Sequence, residues 1–257
     1  MFRRDLHSLF VLALLAALAA DSAAAGESGS RPVLAASNPA PVVVELFTSQ
    51  GCSSCMPADA YFGELAKRPD VIALGFHVDY WNYIGWTDPF AKPWASKRQR
   101  EYQDSLETRF VYTPQVVVDG AAEAVGSDDE KCDALIDAAK TKAEPRPTLA
   151  LHWRDDGALA VDVGAGESPA GQPATLWLVG YDSEHTTQVL RGENEGHTLT
   201  DYHPVRSYSQ LGKWAGWSAE FVVPADQVKT LGNGGIAVLL QEHGTGPILT
   251  AAQIAQH

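Results

Sequence analysis

The stretch Val42-Val43-Val44-Glu45-Leu46-Phe47-Thr48-Ser49-Gln50-Gly51-Cys52-Ser53-Ser54-Cys55 decides how this chain is read. Its first six residues are apolar except for Glu45 and rich in β-branched side chains, the pattern of a strand buried on both faces. The strand runs out at Gly51, and a C-x-x-C follows at once. A dithiol switch needs one thiolate to attack a disulfide and a second thiol close enough to resolve the mixed disulfide. Two cysteines at this spacing where a helix begins meet both needs. The first faces outward beside the unpaired amides of the helix end, which lower its pKa, and the second sits one turn in. Cys52 is the expected nucleophile and Cys55 the expected resolver. Pro57 follows closely, and a proline deep in a helix removes a hydrogen bond. Either the first turn is irregular, or the regular helix begins near Pro57. No Lys, Arg or His adjoins the pair in sequence.

Outward from this junction, strands and helices alternate. Ala58–Lys67 has helix-forming composition, Val71–Val78 reads as a second buried strand, and Pro93–Phe110 as a helix with apolar residues stepping by four. Gln115–Asp119 is a third strand, which Asp119-Gly120 turns back into an edge strand near Val125. Asp128–Lys142 closes the unit as an amphipathic helix. The order β-α-β-α-β-β-α, with the C-x-x-C after the first strand, is the minimal order of the thioredoxin fold. In that fold the position of Thr113-Pro114, just before the third strand, carries a cis-proline facing the C-x-x-C, and the residue before it pairs with an extended substrate.

Glu144-Pro145-Arg146-Pro147 breaks the pattern as a linker. Beyond it, short strands separated by Gly, Asp and Pro turns are expected at Thr148–Trp153, Ala158–Val163, Ala174–Tyr181, Thr186–Leu190, Ser218–Val223 and Gly235–Gln241. They imply an antiparallel sandwich, with a short helix near Ala251–Ala255. The fold class is α/β: a thioredoxin-like domain over 41–143 with a helical, aromatic insertion, then a β-rich, sandwich-like domain over 148–257.

Four stretches together carry a family resemblance: Glu45 to Cys55, His77-Val78-Asp79-Tyr80-Trp81, Gly85-Trp86-Thr87-Asp88-Pro89-Phe90, and Tyr112-Thr113-Pro114-Gln115. Gly192-Glu193-Asn194-Glu195-Gly196 and Val238-Leu239-Leu240-Gln241 add to it. The chain resembles the exported, thioredoxin-like bacterial family known as domain of unknown function 1223. Met56 departs from the resemblance, which implies proline there. The resemblance supports the fold further than the activity, which the family name leaves open.

Other residues are candidates for the same site. Thioredoxins carry a buried acid behind the second cysteine, and Glu45 is placed either for that role, with burial raising its pKa, or for a structural one at the strand end. His77 and Asp79 alternate at the end of the second strand, so they share a face, and Trp81 with Tyr80, Tyr83 and Trp86 offers either groove walls or packing for the insertion. Arg98 and Arg100 read as solvated or paired. Cys132, on the apolar side of the last helix, behaves as a small hydrophobe. A zinc half-site would need two further ligands, with Cys132 and His77 the nearest, and a copper site would draw on His77 or Met56. The histidines of the second half have no metal-like spacing. No cofactor is called for.

Arg3 and Arg4 precede an apolar run from Leu9 to Ala20 and the small residues Ala23-Ala24-Ala25. That is the layout of a cleavable secretory signal over 1–25, followed by a flexible leader over 26–40. The run is shorter than the ~20 apolar residues of a membrane-spanning helix. The expected location is periplasmic or secreted. Only 3 cysteines occur and the net charge is −13. A scaffold built on disulfides would have more cysteines, and so acidic a chain repels phosphate backbones and anionic lipid. The expected partners are protein thiols and disulfides, or an extended peptide, with neither nucleic acid nor membrane. The reading is a thiol–disulfide oxidoreductase working through Cys52 and Cys55, with Thr113 and Pro114 positioning the substrate. Two alternatives stay open: a non-enzymatic peptide- or partner-binding module, and a copper- or zinc-handling protein.

Overall fold

The seven residues of β1 (Val42–Thr48) are all buried, and two cores form on its two faces. In this computed structural model the residues described are 40–141, 146–168 and 172–256. The expected signal segment and all but the last residue of the leader lie outside them. β1 pairs in parallel with β2 (Val71–His77), Val42 opposite Val71 and Thr48 opposite His77. On its other side it pairs antiparallel with β3 (Gln115–Val118), which turns at Asp119-Gly120 into β4 (Ala122–Val125). The sheet order is β2-β1-β3-β4. Gly120 takes a positive φ of 61°, as a tight hairpin turn requires.

Alternation along β1 divides its side chains. Val42, Val44 and Leu46 meet α1 (Met56–Leu65) and α3 (Asp129–Lys140) through Phe62, Leu65, Cys132 and Ile136. Val43 and Phe47 face the other way, with Ile72, Leu74, Phe76 and Val117, toward α2 (Pro93–Ser105) and a second sheet. That sheet has the order β10-β7-β12-β13, from β7 (Ala174–Tyr181), β10 (Val205–Trp214), β12 (Gly235–Gln241) and β13 (Ile248–Ala255). Its central strands, β7 and β12, are apolar on both sides because both are covered. Val179, Ala237 and Leu239 enter the core shared with β1, while Leu176, Leu178, Ile236, Val238 and Leu240 enter a third core. The third core is closed by a sheet of order β11-β6-β5, made of β5 (Leu149–Trp153), β6 (Leu159–Val163) and β11 (Ala219–Val223). The chain is thus mixed α/β, with helices beside one sheet and three sheets stacked. A separate ribbon, β8 (Glu184–Gln188) with β9 (Thr198–Tyr202), lies over α1. Gly63 admits it, since a Cβ there would stand 2.4 Å from the Tyr202 ring. A short helix, α4 (Ala225–Val228), follows β11.

The structure differs from the sequence reading at several elements. Ala251–Ala255, expected as a helix, belongs to β13: its pairing with β12 and its burial on both faces outweigh the helix propensity of alanine. α2 stops at Ser105 instead of Phe110, because Glu107 takes a φ of 54° and leaves Phe110 60% exposed. β9 and β10 were not anticipated, since β10 carries Arg206, Ser207, Ser209, Gln210 and Lys213 on a bulged edge. Among the described residues no helix is long and apolar enough to cross a membrane.

Candidate functional site

β1 ends at Thr48, and Ser49-Gln50-Gly51 turns the chain toward α1. The turn is held by the Cys52 N–H donating to Ser49 O at 3.0 Å and the Gly51 N–H to Ser49 Oγ at 3.1 Å. Ser53–Cys55 forms one 3-10 turn, and the regular helix starts at Met56 with Pro57 in its first turn, where its missing N–H costs nothing. Cys52 and Cys55 are joined as a disulfide, with Cα atoms 5.4 Å apart. Cys52 precedes the 3-10 turn rather than the regular helix. The expectation that it faces outward is not met. Cys52 is 1% exposed and Cys55 fully buried, although Ser53 and Ser54 between them are exposed.

Thr113 and Pro114 lie against this disulfide. The Thr113-Pro114 peptide is cis, and Thr113 Oγ1 donates to Cys52 Sγ at 3.3 Å. Trp81 Nε1 donates in turn to Thr113 Oγ1 at 2.7 Å. Trp86 Nε1 donates to Gln50 Oε1 at 3.0 Å, while Tyr80 turns to Gln99 and Tyr83 projects into solvent.

Behind the turn lies a buried polar cluster. His77 Nδ1 is 2.7 Å from Asp88 Oδ2, and its Nε2 is 3.7 Å from Asp201 Oδ1. Asp88 also accepts the Gln50 and Phe90 N–H groups, and Gln50 Nε2 donates to Asp201 Oδ2 at 2.7 Å. Burial alone would lower the His77 pKa, but the Asp88 and Asp201 carboxylates raise it to about 9. Asp88, despite its burial, is held below the usual carboxylate range by His77, while burial pushes Asp201 up. Asp59 accepts from Thr48 Oγ1 at 2.7 Å, and burial lifts its pKa to about 7. Asp59 stands four residues after Cys55, the spacing that makes helix side chains neighbours. It also lines a cleft of about 300 Å³ between α1 and β9, with Met56, His197 and Tyr202.

Glu45 is taken up elsewhere, on the face of β1 toward α2. It forms a fully buried ion pair with Arg98, at 2.6 Å and 2.8 Å, and accepts from the Tyr102 hydroxyl at 2.6 Å. Asp79 does not share partners with His77: it accepts from Ser96 Oγ at the start of α2. The Cys132 thiol is buried, donates to Val125 O at 3.7 Å, and has its pKa pushed up to about 11 by burial. Among the described residues no three His, Cys, Asp or Glu side chains are arranged to hold a metal ion.

The C-terminal half closes the site. Asn194 Nδ2 donates to Gln50 O at 2.9 Å and to Cys52 O at 3.2 Å, and Ser53 Oγ donates to Glu193 at 2.8 Å. Sequence reasoning missed Gln50, Asp59, Asp88, Asn194 and Asp201 as parts of the site. Gln50, two residues before Cys52, and Asp59, four after Cys55, adjoin the motif in sequence; Asp88 is brought in by the insertion, and Asn194 and Asp201 by the ribbon.

A family model described as "Protein of unknown function (DUF1223)" matches residues 43–241. No curated protein matches the chain. A crystal structure of a protein from Agrobacterium tumefaciens is similar at 32% sequence identity and a TM-score of 0.74, covering 84% of this chain and 94% of that one.

Proposed function

The chain belongs to the DUF1223 family, whose description assigns no activity, and from its geometry we propose that it is an exported thiol–disulfide oxidoreductase of thioredoxin-like fold, acting on protein thiols. The observation that carries this reading is the Cys52–Cys55 disulfide at a strand-to-helix junction, with Thr113 bonded to Cys52 Sγ beside a cis Pro114. The sheet order β2-β1-β3-β4, with β1 and β2 parallel, supports the fold part of the reading. Export rests on the N-terminal signal pattern.

The chemistry follows from the positions of the sulfurs. A substrate thiolate attacks Cys52 Sγ, the Cys52–Cys55 bond breaks, and Cys55 leaves as a thiolate that takes up a proton. A second substrate thiolate then attacks the substrate sulfur of the mixed disulfide and releases Cys52. Two electrons pass to the protein, which ends as a dithiol, while the substrate ends as a disulfide. The same steps run in reverse with a reduced protein and a substrate disulfide. Asp59, one turn beyond Cys55 and poised near neutral pH, is the group placed to exchange the Cys55 proton. Glu45 is committed to Arg98 and is not proposed for that role.

Turnover of a protein disulfide such as insulin's by the reduced chain tests the reading. Cys52→Ser should abolish it. Asp59→Asn should slow it by roughly 10²-fold and remove an inflection near pH 7, through which the wild-type rate rises as Asp59 becomes able to accept the proton. The burial of Cys52 favours a second reading, a peptide-binding module with an inert disulfide. Wild-type protein whose disulfide resists dithiothreitol until it unfolds would decide for that reading.

A further inference from the structure

We infer that the ribbon tip Val189–His197 is a removable cover, held on the C-x-x-C turn by Asn194, that controls which thiols reach the disulfide; this rests on the redox reading above. Exchange requires the attacking sulfur to approach Cys52 Sγ at about 3–3.5 Å and in line with the S–S bond. At 1% exposure Cys52 offers no such approach, so something against it has to move. β1 and α1 are tied into buried cores on both sides of the sheet, and Thr113 is held beside the sulfur by Trp81. The tip adds to the apolar interior only Val189, at its base.

Its hold on the turn consists of a few polar contacts. Asn194 donates to the carbonyls of Gln50 and Cys52, Glu193 accepts from Ser53, and Gly192 rests against Gly85 and Trp86. Asn194 is 1% exposed, and its Oδ1 has no hydrogen-bond partner among the described residues. Hydrogen bonds given up to water are largely replaced, whereas a buried unpaired acceptor gains one on exposure. Opening is therefore close to balanced in hydrogen bonds.

The tip is also built to move as a piece. It is closed on itself by the Val189 N–H to His197 O and the Gly196 N–H to Val189 O, both at 2.9 Å. Gly192 and Gly196 flank Asn194 with φ of 86° and 82°, backbone states that glycine adopts without strain. Leu190, 62% exposed, gives an incoming polypeptide an apolar hold on the cover itself.

The test measures the rate at which dithiothreitol, and separately a cysteine-containing peptide, reduces the Cys52–Cys55 bond in the folded, full chain. Asn194→Ala should raise both rates at least tenfold over wild type. Asn194→Asp, which keeps the shape but sets a carboxylate against two carbonyls, should do the same. It decides the matter if the alanine variant fails to fold. Unchanged or slower rates in a folded variant overturn the cover. Retained turnover of insulin in that case leaves the redox reading standing. Faster reduction of the variants, with no turnover of insulin by them or by wild type, upholds the cover and sinks the redox reading instead.

Discussion

Buried without a partner, an imidazole gives up its proton; His77 keeps one because Asp88 stands 2.7 Å from Nδ1 and Asp201 lies beyond Nε2. Its pKa in the folded chain, about 9, lies above its ordinary 6.5. The folded state therefore holds a proton that the unfolded chain has released, and the stabilisation is complete below pH 6.5 and lost as pH rises through 9. Asp59, raised from 3.8 to about 7, acts in the same sense at lower pH, favouring the folded state less as pH climbs through that window. The midpoint of thermal unfolding should accordingly fall between pH 6.5 and 9. His77→Gln should remove that fall and, at pH 6, cost about 3–5 kcal/mol by leaving Asp88 buried without its charge partner. A pH-independent midpoint in wild type would contradict this account of the cluster. His77 was legible in the sequence as a candidate because it ends a buried strand beside the C-x-x-C edge. Its partners were not. Asp88 sits in an irregular insertion and Asp201 on a ribbon strand with little apolar periodicity, so neither left a pattern pointing back to His77.

Where β1, α2, β10 and β12 meet, one arginine joins them. Arg98 donates to both Glu45 oxygens on β1, to Gln241 on β12, to Tyr102 one turn along α2, and to Tyr208 on β10. Its guanidinium also lies over the rings of Tyr102 and Tyr208, each 4.8 Å away. A buried pair of this kind contributes little compared with apolar side chains of the same volume, but breaking it strands a charge. Arg98→Met alone should lower stability by about 3–5 kcal/mol, whereas Glu45→Leu with Arg98→Met should lose much less. Denaturant melts of the four proteins of this double-mutant cycle check it, and additive losses would mean that the two side chains do not act as a pair. The sequence placed Arg98 in a helix and left it solvated or paired, because a step of four shows which residues share a face but not what that face meets. Elements of the first half were readable because βα alternation leaves two distinct periods. β13 was not, since an alanine-rich strand covered on both faces has neither period, and its pairing with β12 decides its state.

At the scale of the whole chain, the shift in texture near Glu144-Pro145 marks a change of architecture without marking a division of the core. Val43, Phe47, Ile72, Leu74, Phe76 and Val117 from the first half share one buried cluster with Val179, Val205, Ala237, Leu239, Ile248 and Ala251 from the second. Fully burying one such Val, Leu, Ile or Phe side chain is worth about 1.5–3 kcal/mol, so removing the second half exposes more apolar surface than a domain of this size can tolerate. It also removes Asp201 from His77, Gln241 from Arg98 and Asn194 from the C-x-x-C turn. A fragment spanning 40–143 should therefore lack cooperative unfolding, bind a hydrophobic dye, and give a poorly dispersed amide spectrum. Its Cys52–Cys55 bond should be reduced as fast as that of a short peptide. A well-dispersed spectrum and a sharp melting transition from that fragment would show that the first half holds its structure alone. The buried face of β1 and β2 would then need another explanation for its apolar residues, because in the intact chain the second sheet is what covers them.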